Sequence, residues 1–140
     1  FDFDLHHGDG TQEILENENN AFYFSTHQLG EFPQTGTANG KNFINVQLHA
    51  GARDVEFIGV LERKLMPAIK KFKPDVVGLS AGFDCYYKDN NALHQGIGFS
   101  LTKRSFQKIK ELLSSYDYFA VLEGWYNPES IWEGASVFLE

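Results

Sequence analysis

The hydrophobic positions of this chain change period several times, and each change predicts an element. Phe1, Phe3 and Leu5 alternate with Asp2 and Asp4, the period of two that marks a strand over Phe1–Leu5. Thr11–Glu16 is predicted as a short helix with Glu13 in its first turn. The aromatic run Ala21–Ser25 predicts a buried strand, and Phe43–Leu48 another. Between them, His27–Lys41 is rich in Gly, Thr, Asn and Pro and reads as a long loop. Asp54 is placed to cap a helix to about Phe72, with apolar residues at Ile58, Leu61, Leu65, Ile69 and Phe72. Its other face carries Arg63, Lys64, Lys70 and Lys71 and reads as solvated surface with cations toward the C-terminus. Pro74 then opens Asp75–Ser80, a short apolar run of the kind buried in parallel sheets. Ala81–Ser100 is a second predicted loop. Thr102 caps a helix with Phe106, Ile109 and Leu113 inward, and Tyr118–Leu122 reads as a strand. Asn127 as N-cap and Pro128 at the first helical position open a last helix, with Ile131, Ala135 and Phe138 as its expected buried stripe.

Strands alternating with helices predict an α/β fold with an open, mostly parallel sheet and helices on both faces. Ligands in such sheets bind beyond the carboxyl ends of the strands. The polar clusters fall at those ends: Asp4–Gly10, Ser25–Gly36, Ser80–Asp84 and Glu123–Asn127.

At 140 residues the chain is one domain or part of one, and 42% hydrophobic residues suffice for a core. The formal charge of −7 argues against a non-specific nucleic-acid binder and leaves room for a cationic substrate. The single cysteine, Cys85, excludes an internal disulfide framework and fits a reducing compartment, cytoplasmic or, in a eukaryote, nuclear. No run of about 18 apolar residues predicts a membrane span. The chain lacks an initiator Met and opens inside a strand, so it is expected to continue upstream.

The chemistry concentrates at the first strand. Alternation puts Asp2, Asp4 and His6 on one face. Three ionisable groups there are costly to bury unless they bind a cation or one another. Carboxylates mixed with imidazole suit a divalent transition metal, zinc first, with iron(II) chemically compatible. Asp84, after a strand end and a glycine turn, is placed as a third ligand, and such a set leaves positions open for water and substrate. Tyr126, next to a helix start, offers a phenol donor for an oxyanion. Taken singly, His7, His49 and His94 read as satisfied or surface histidines.

Four segments together carry a family resemblance. They are Asp2–Glu13 (Asp-Phe-Asp-Leu-His-His-Gly-Asp-Gly-Thr-Gln-Glu); Ser25-Thr-His27 with Phe32-Pro-Gln-Thr-Gly36; Lys73-Pro-Asp75 with Ser80-Ala-Gly-Phe-Asp84; and Leu122-Glu-Gly-Trp-Tyr-Asn127. In order and spacing they resemble the histone deacetylase superfamily, which includes acetylpolyamine amidohydrolases and acetoin-utilisation proteins. The second and third loops, with Phe99–Thr102, are more similar to its bacterial, archaeal and class II branches than to class I. The resemblance implies an arginase-like α/β fold and hydrolysis of an acetylated amine, either acetyl-lysine or an acetylpolyamine, by metal-activated water. It implies Asp4, His6 and Asp84 as zinc ligands and Tyr126 as donor to the carbonyl oxygen. Asp2 and Asp9 match acids that orient a pair of catalytic histidines. The Asp2 and Ser25 side chains, with the carbonyls of Asp4, His6 and Thr26, match a monovalent cation site, usually potassium. Phe32 matches an aromatic wall of the substrate channel.

The chain also departs from the family. The general-base histidine pair lies upstream of the first strand in the family, and His6-His7 is not that pair because His6 is the implied ligand. Residues 1–140 are therefore expected to be the C-terminal part of a catalytic domain, negligibly active alone. Trp125 stands where the family has glycine; it could narrow the pocket, shift Tyr126 or pack outward. Cys85 and Tyr86 replace a small residue and a histidine, and Cys85 reads as a packing residue. The competing expectation is a non-catalytic relic that binds metal or an acetylated ligand. An arginase-type ureohydrolase would need Asp-x-Asp in the third loop, but Phe83 and Cys85 flank Asp84.

Overall fold

A computed structural model describes residues 1–89 and 98–139. In chain order the elements are α1 (Asp9–Leu15), β1 (Tyr23–Gln28), β2 (Phe43–Leu48), α2 (Asp54–Val60), a π-helical turn (Leu61–Leu65), α3 (Met66–Phe72), β3 (Val77–Ala81), α4 (Lys103–Leu113), β4 (Tyr118–Leu122) and α5 (Pro128–Leu139). Both strand pairs are parallel: β1 runs beside β2 with Tyr23 opposite Phe43, and β3 beside β4 with Val77 opposite Tyr118.

The opening segment joins the two pairs. Asp2 bridges Ser25 of β1 and Ser80 of β3; its N–H donates to the Phe24 carbonyl, and the Ser80 N–H donates to the Phe1 carbonyl. The strand expected over Phe1–Leu5 is reduced to this bridge. The reason lies in its carboxylates, which capture backbone donors in place of a ladder. Asp2 Oδ1 accepts from the Asp4 N–H, Asp4 Oδ1 from the His6 N–H, and Asp84 Oδ1 from the Leu5 N–H.

The helix expected from Asp54 to Phe72 forms as α2, the π turn and α3 in succession. Its buried apolar side chains are Phe57, Val60, Leu61, Leu65 and Ile69, four of them at spacings of four, while Ile58 is only partly buried and Phe72 is exposed. In a straight α-helix that spacing drifts by about 40° per step. A π turn takes more residues per turn and cancels part of the drift. Arg53, not Asp54, is the N-cap; the Asp54 carboxylate instead accepts from the Thr102 N–H and hydroxyl and from the Ser105 hydroxyl, tying α2 to α4. Three other boundaries shift; β3, expected over Asp75–Ser80, covers Val77–Ala81. α1 begins at Asp9 rather than Thr11, with the Gln12 N–H donating to the Gly8 carbonyl. β1 covers Tyr23–Gln28 rather than Ala21–Ser25, so the following loop starts after Gln28. In α5 the fully covered residues are Ser130, Gly134 and Val137; of the expected stripe, Ala135 and Phe138 are partly buried and pack against the core, and Ile131 is partly buried. The helix lies so close to the loop after β3 that a Cβ on Gly134 would stand 2.2 Å from Phe83 Cδ1.

Phe3 anchors the core. Its ring centroid lies 6.0 Å from Phe83, 5.9 Å from Phe106 and 6.1 Å from Phe138, joining the opening segment to the loop after β3, to α4 and to α5. Each such ring contributes about 1.5–3 kcal/mol by burial. Among the described residues, no helix is long and apolar enough to cross a membrane. The loop expected over Ala81–Ser100 is described only in part, and His94 lies outside the described residues.

Candidate metal centre

Three segments meet at the carboxyl ends of the strands. Asp4 and His6 lie where the opening segment leaves the sheet, Asp84 follows β3, and Gly124 to Tyr126 follow β4. His6 Nδ1 is 3.1 Å from Asp4 Oδ1 and 3.0 Å from Asp84 Oδ2. One ligand atom from each of the three residues lies within 4.8 Å of the others, so the set could hold a metal ion. Asp84 Oδ2 is buried and faces the His6 ring nitrogen.

Two glycines make this convergence sterically feasible. The Gly124 N–H donates to Asp4 Oδ2 at 2.7 Å, and its carbonyl accepts from the N–H groups of Phe83 and Asp84. A Cβ on Gly124 would stand 2.5 Å from both Asp4 Oδ2 and Asp84 Oδ2, and one on Gly82 would stand 2.2 Å from Asp4 Oδ2. The loops after β3 and β4 therefore close over the carboxylates only because neither glycine has a side chain.

Electrostatics follow from burial with a single imidazole between two acids. His6 is raised to about 10 by its hydrogen bonds to Asp4 and Asp84. Burial raises the Asp84 carboxyl; His6 opposes this and the Asp4 charge adds to it. Burial pushes Asp4 in the same direction, but hydrogen bonds from the His6 side chain and from the His6 and Gly124 N–H groups outweigh it and hold Asp4 below its ordinary value. Asp2 is raised to about 7 by burial, despite accepting from the Tyr23 hydroxyl at 2.7 Å and the Asp4 N–H.

The remaining expected site residues are distributed as follows. Ser25 and Thr26 are buried beside Asp2; the Thr26 N–H donates to the Asp2 carbonyl, Ser25 Oγ lies 2.9 Å from His27 Nδ1, and Thr26 Oγ1 has no hydrogen-bond partner. Phe32 is 73% exposed, its ring centroid 6.5 Å from that of His6, so it stands at the rim of the centre. Asp9 is exposed in the first turn of α1. Tyr126 is 42% exposed; burial, then Asp84, Asp4 and Asp89, raises its phenol, which places it within electrostatic reach of the centre. Trp125 is 40% exposed. His7 is satisfied by Thr35 Oγ1 at 2.7 Å and Gln12 Oε1 at 2.9 Å, and His49 is exposed. The glycine turn at Gly82 is legible in the sequence, whereas Gly124 and Tyr23 act through contacts distant along the chain and carry no local signal.

Two carboxylates and an imidazole at the carboxyl edge of a parallel sheet, where ligands of such sheets bind, form a donor set that could hold a divalent ion. The family described as "Histone deacetylase domain" matches residues 1–140, and the chain belongs to it. It is 35% identical over 140 residues to histone deacetylase 14, chloroplastic, of Arabidopsis thaliana, covering 93% of this chain and 33% of that protein. The solved structure of the histone deacetylase Clr3 superposes with a TM-score of 0.87 at 31% identity, covering 99% of this chain and 25% of the other. The crystal structure of an acetylpolyamine aminohydrolase from Burkholderia pseudomallei gives 0.79 at 26% identity, covering 99% and 42%. The chain spans about a third of the length of the curated relatives it matches.

Proposed function

We propose that the protein containing these residues is a zinc-dependent deacetylase acting on acetylated amines, either acetyl-lysine in a protein or an acetylpolyamine. The observation that carries this reading is the convergence of one ligand atom each from Asp4, His6 and Asp84 to within 4.8 Å, with Asp84 fully buried, in a chain of this family. That donor set fits zinc with positions left open; iron(II) accepts the same donors. Bound there, the ion supplies Lewis acidity toward an amide carbonyl and toward water. To bind it, His6 gives up the Nδ1 proton, so affinity rises with pH. The Tyr126 phenol, raised above its ordinary value, stays protonated near neutral pH and donates to the carbonyl oxygen as negative charge gathers there. Phe32 lines the approach above His6 and shields the methylene stem of the substrate.

In this reading Asp2 and Asp9 orient a histidine pair outside residues 1–140, which takes the proton from water and returns it to the leaving amine. Potassium is the proposed partner of Asp2, Ser25 and the carbonyls of Asp4, His6 and Thr26; its charge would draw Asp2 back toward the ionised form. Residues 1–140 are then the C-terminal part of one longer catalytic domain. Two observations support this: the length of the relatives, and an apolar sheet face with Phe119 and Val121 about half exposed. Beside that face lies a cavity of about 410 Å³, lined by Phe22, Ile69, Phe72 and Phe119 among others, which the rest of the domain would cover. The working compartment is the cytoplasm, or the nucleus in a eukaryote, with no direct nucleic-acid or membrane partner.

The test compares the full-length protein with residues 1–140 on an acetyl-lysine peptide and an acetylpolyamine, with and without zinc. The expected result is zinc-dependent turnover by the full-length protein, lost in Asp84→Ala and negligible for residues 1–140. Zinc or acetyl-ligand binding without turnover in the full-length protein would replace this reading with that of a non-catalytic relic. Zinc-dependent turnover by residues 1–140 alone would overturn the placement of the base.

A further inference from the structure

Asp89 is an acid that the scheme above does not use. It is 0% exposed, and its oxygens accept the backbone N–H of Tyr126 at 3.1 and 3.2 Å and that of Asn127 at 2.9 Å. A fully buried carboxylate is costly unless donors are arranged for it, and here they are backbone groups of the loop that carries the phenol.

These bonds are not the cap of α5. That role belongs to Asn127 Oδ1, which accepts the Glu129 N–H at 3.0 Å. Asp89 instead takes the donors of the two residues that precede the helix. The segment Asp84–Asp89 is itself fixed at both ends. Asp84 donates to the Gly124 carbonyl, and the Asp89 N–H donates to the Tyr86 carbonyl at 2.9 Å. Asn127 Nδ2 donates to the Lys88 carbonyl, while Lys88 Nζ pairs with Glu133 at 2.7 Å and the Tyr86 hydroxyl donates to the same glutamate. The loop after β4 is thus pinned twice, at Gly124 by the metal centre and at Tyr126–Asn127 by Asp89. The Tyr126 side chain departs from the second pin, two residues beyond the first.

We propose that Asp89 is a positioning residue for deacetylation: its buried carboxylate fixes the Tyr126 backbone so that the phenol faces the metal centre. This rests on the deacetylase reading above. Asp89 touches no reacting atom, and its effect passes through Tyr126 alone.

The experiment uses the full-length protein with Asp89→Asn, which keeps the side-chain size and one acceptor oxygen, and Asp89→Ala, each with the Tyr126→Phe change and without it. Hydrogen exchange of the peptide covering residues 123–128, zinc content, kcat and KM are measured. Expected are exchange at least tenfold faster in that peptide alone, unchanged zinc content, KM within about threefold, and kcat lower by about tenfold for Asn and about a hundredfold for Ala, the range a small misplacement of a reacting group produces. In the Tyr126→Phe background, Asp89→Asn causes no further loss, because the residue it positions is already gone. Equal losses in both backgrounds, or unchanged exchange at residues 123–128, overturn the proposal. Should Asp89→Ala exchange faster throughout, it has unfolded and Asp89→Asn decides. Absence of turnover in the unaltered protein overturns the deacetylase reading and the role with it, while exchange separately decides whether Asp89 fixes the loop.

Discussion

Gly124→Ala is the smallest change that strikes the proposed metal centre without removing a proposed ligand. Gly124 is not at a positive φ, so alanine meets no backbone strain there. What it meets is space already filled: the new Cβ would stand 2.5 Å from Asp4 Oδ2 and from Asp84 Oδ2, and 3.0 Å from Asp84 Cγ. Ordinary contact begins near 3.4 Å. The methyl must therefore push the carboxylates apart or lift the loop, and lifting the loop breaks the Gly124 N–H bond to Asp4. Overpacking of this kind costs about 1–3 kcal/mol in stability. Disturbing the groups that orient metal ligands costs roughly 10–100-fold in metal affinity.

The two effects separate in melting curves taken with and without zinc. At free zinc a hundredfold above Kd, binding stabilises the unaltered protein by about 2.7 kcal/mol. For a domain near this size that is a rise in Tm of roughly 8–13 °C, at about 3–5 °C per kcal/mol. If the variant's Kd is a hundredfold weaker, the same zinc contributes only about 0.4 kcal/mol, or roughly 1–2 °C. Competition against a chromophoric chelator gives Kd directly. Gly10→Ala is the control, since nothing lies within 4 Å of a Cβ there and the position is helical; it should leave zinc binding unchanged and add up to about 1 kcal/mol. A Gly124→Ala protein that binds zinc as tightly as the parent, with the same rise in Tm, refutes the placement of the metal between these carboxylates.

Three further outcomes follow from the packing. Gly134→Ala raises helix propensity yet should destabilise by about 1–3 kcal/mol, because its Cβ would clash with the Phe83 ring; stabilisation in urea denaturation would refute the close approach of α5. Burial alone would raise Asp54, but hydrogen bonds from Ser105 and Thr102 hold it below its ordinary value. Its contribution, about 1–2 kcal/mol by analogy with helix caps, is therefore full above the unfolded value near pH 4 and is lost as pH falls through the lower folded value. The stability gap between the parent and Asp54→Asn should close below about pH 4, and a gap constant from pH 3 to 7 contradicts the assignment. Cys85 is fully buried, with Sγ donating to the Gly82 carbonyl, and burial together with Asp84 and Asp4 pushes its thiol well above the usual range. A thiol reagent should label it only after unfolding; rapid labelling of the native protein at Cys85 would refute its burial.

What could be read from the chain depended on whether a residue acts by its own chemistry or by its neighbours' geometry. Strands β2 and β4 fall on the predicted residues because β2 alternates apolar residues at Ile44, Val46 and Leu48, β4 is a continuous apolar run, and both pair in parallel in simple register. The start of α5 at Asn127-Pro128 was legible because a cap is a local device. The opening strand was not, because its carboxylates take the backbone donors that a ladder would use. The stripe of α5 was legible only in part: Ala135 and Phe138 pack on the core as their spacing predicts, while a glycine with no apolar signature lets the helix approach Phe83. The site shows the same division. Asp4, His6 and Asp84 are conspicuous as residue types, and the fold brings them together. The partner that makes room for them is Gly124, 120 positions from Asp4 along the chain. Its contribution is the lack of a side chain, which leaves no trace in composition or periodicity. Asp89 has the opposite difficulty. An aspartate in a loop usually caps a local turn, and only the tertiary fold delivers the Tyr126 and Asn127 N–H groups to it. Ligand identity is thus a local property of the sequence, while ligand placement is a property of loops that the rest of the fold must first bring together.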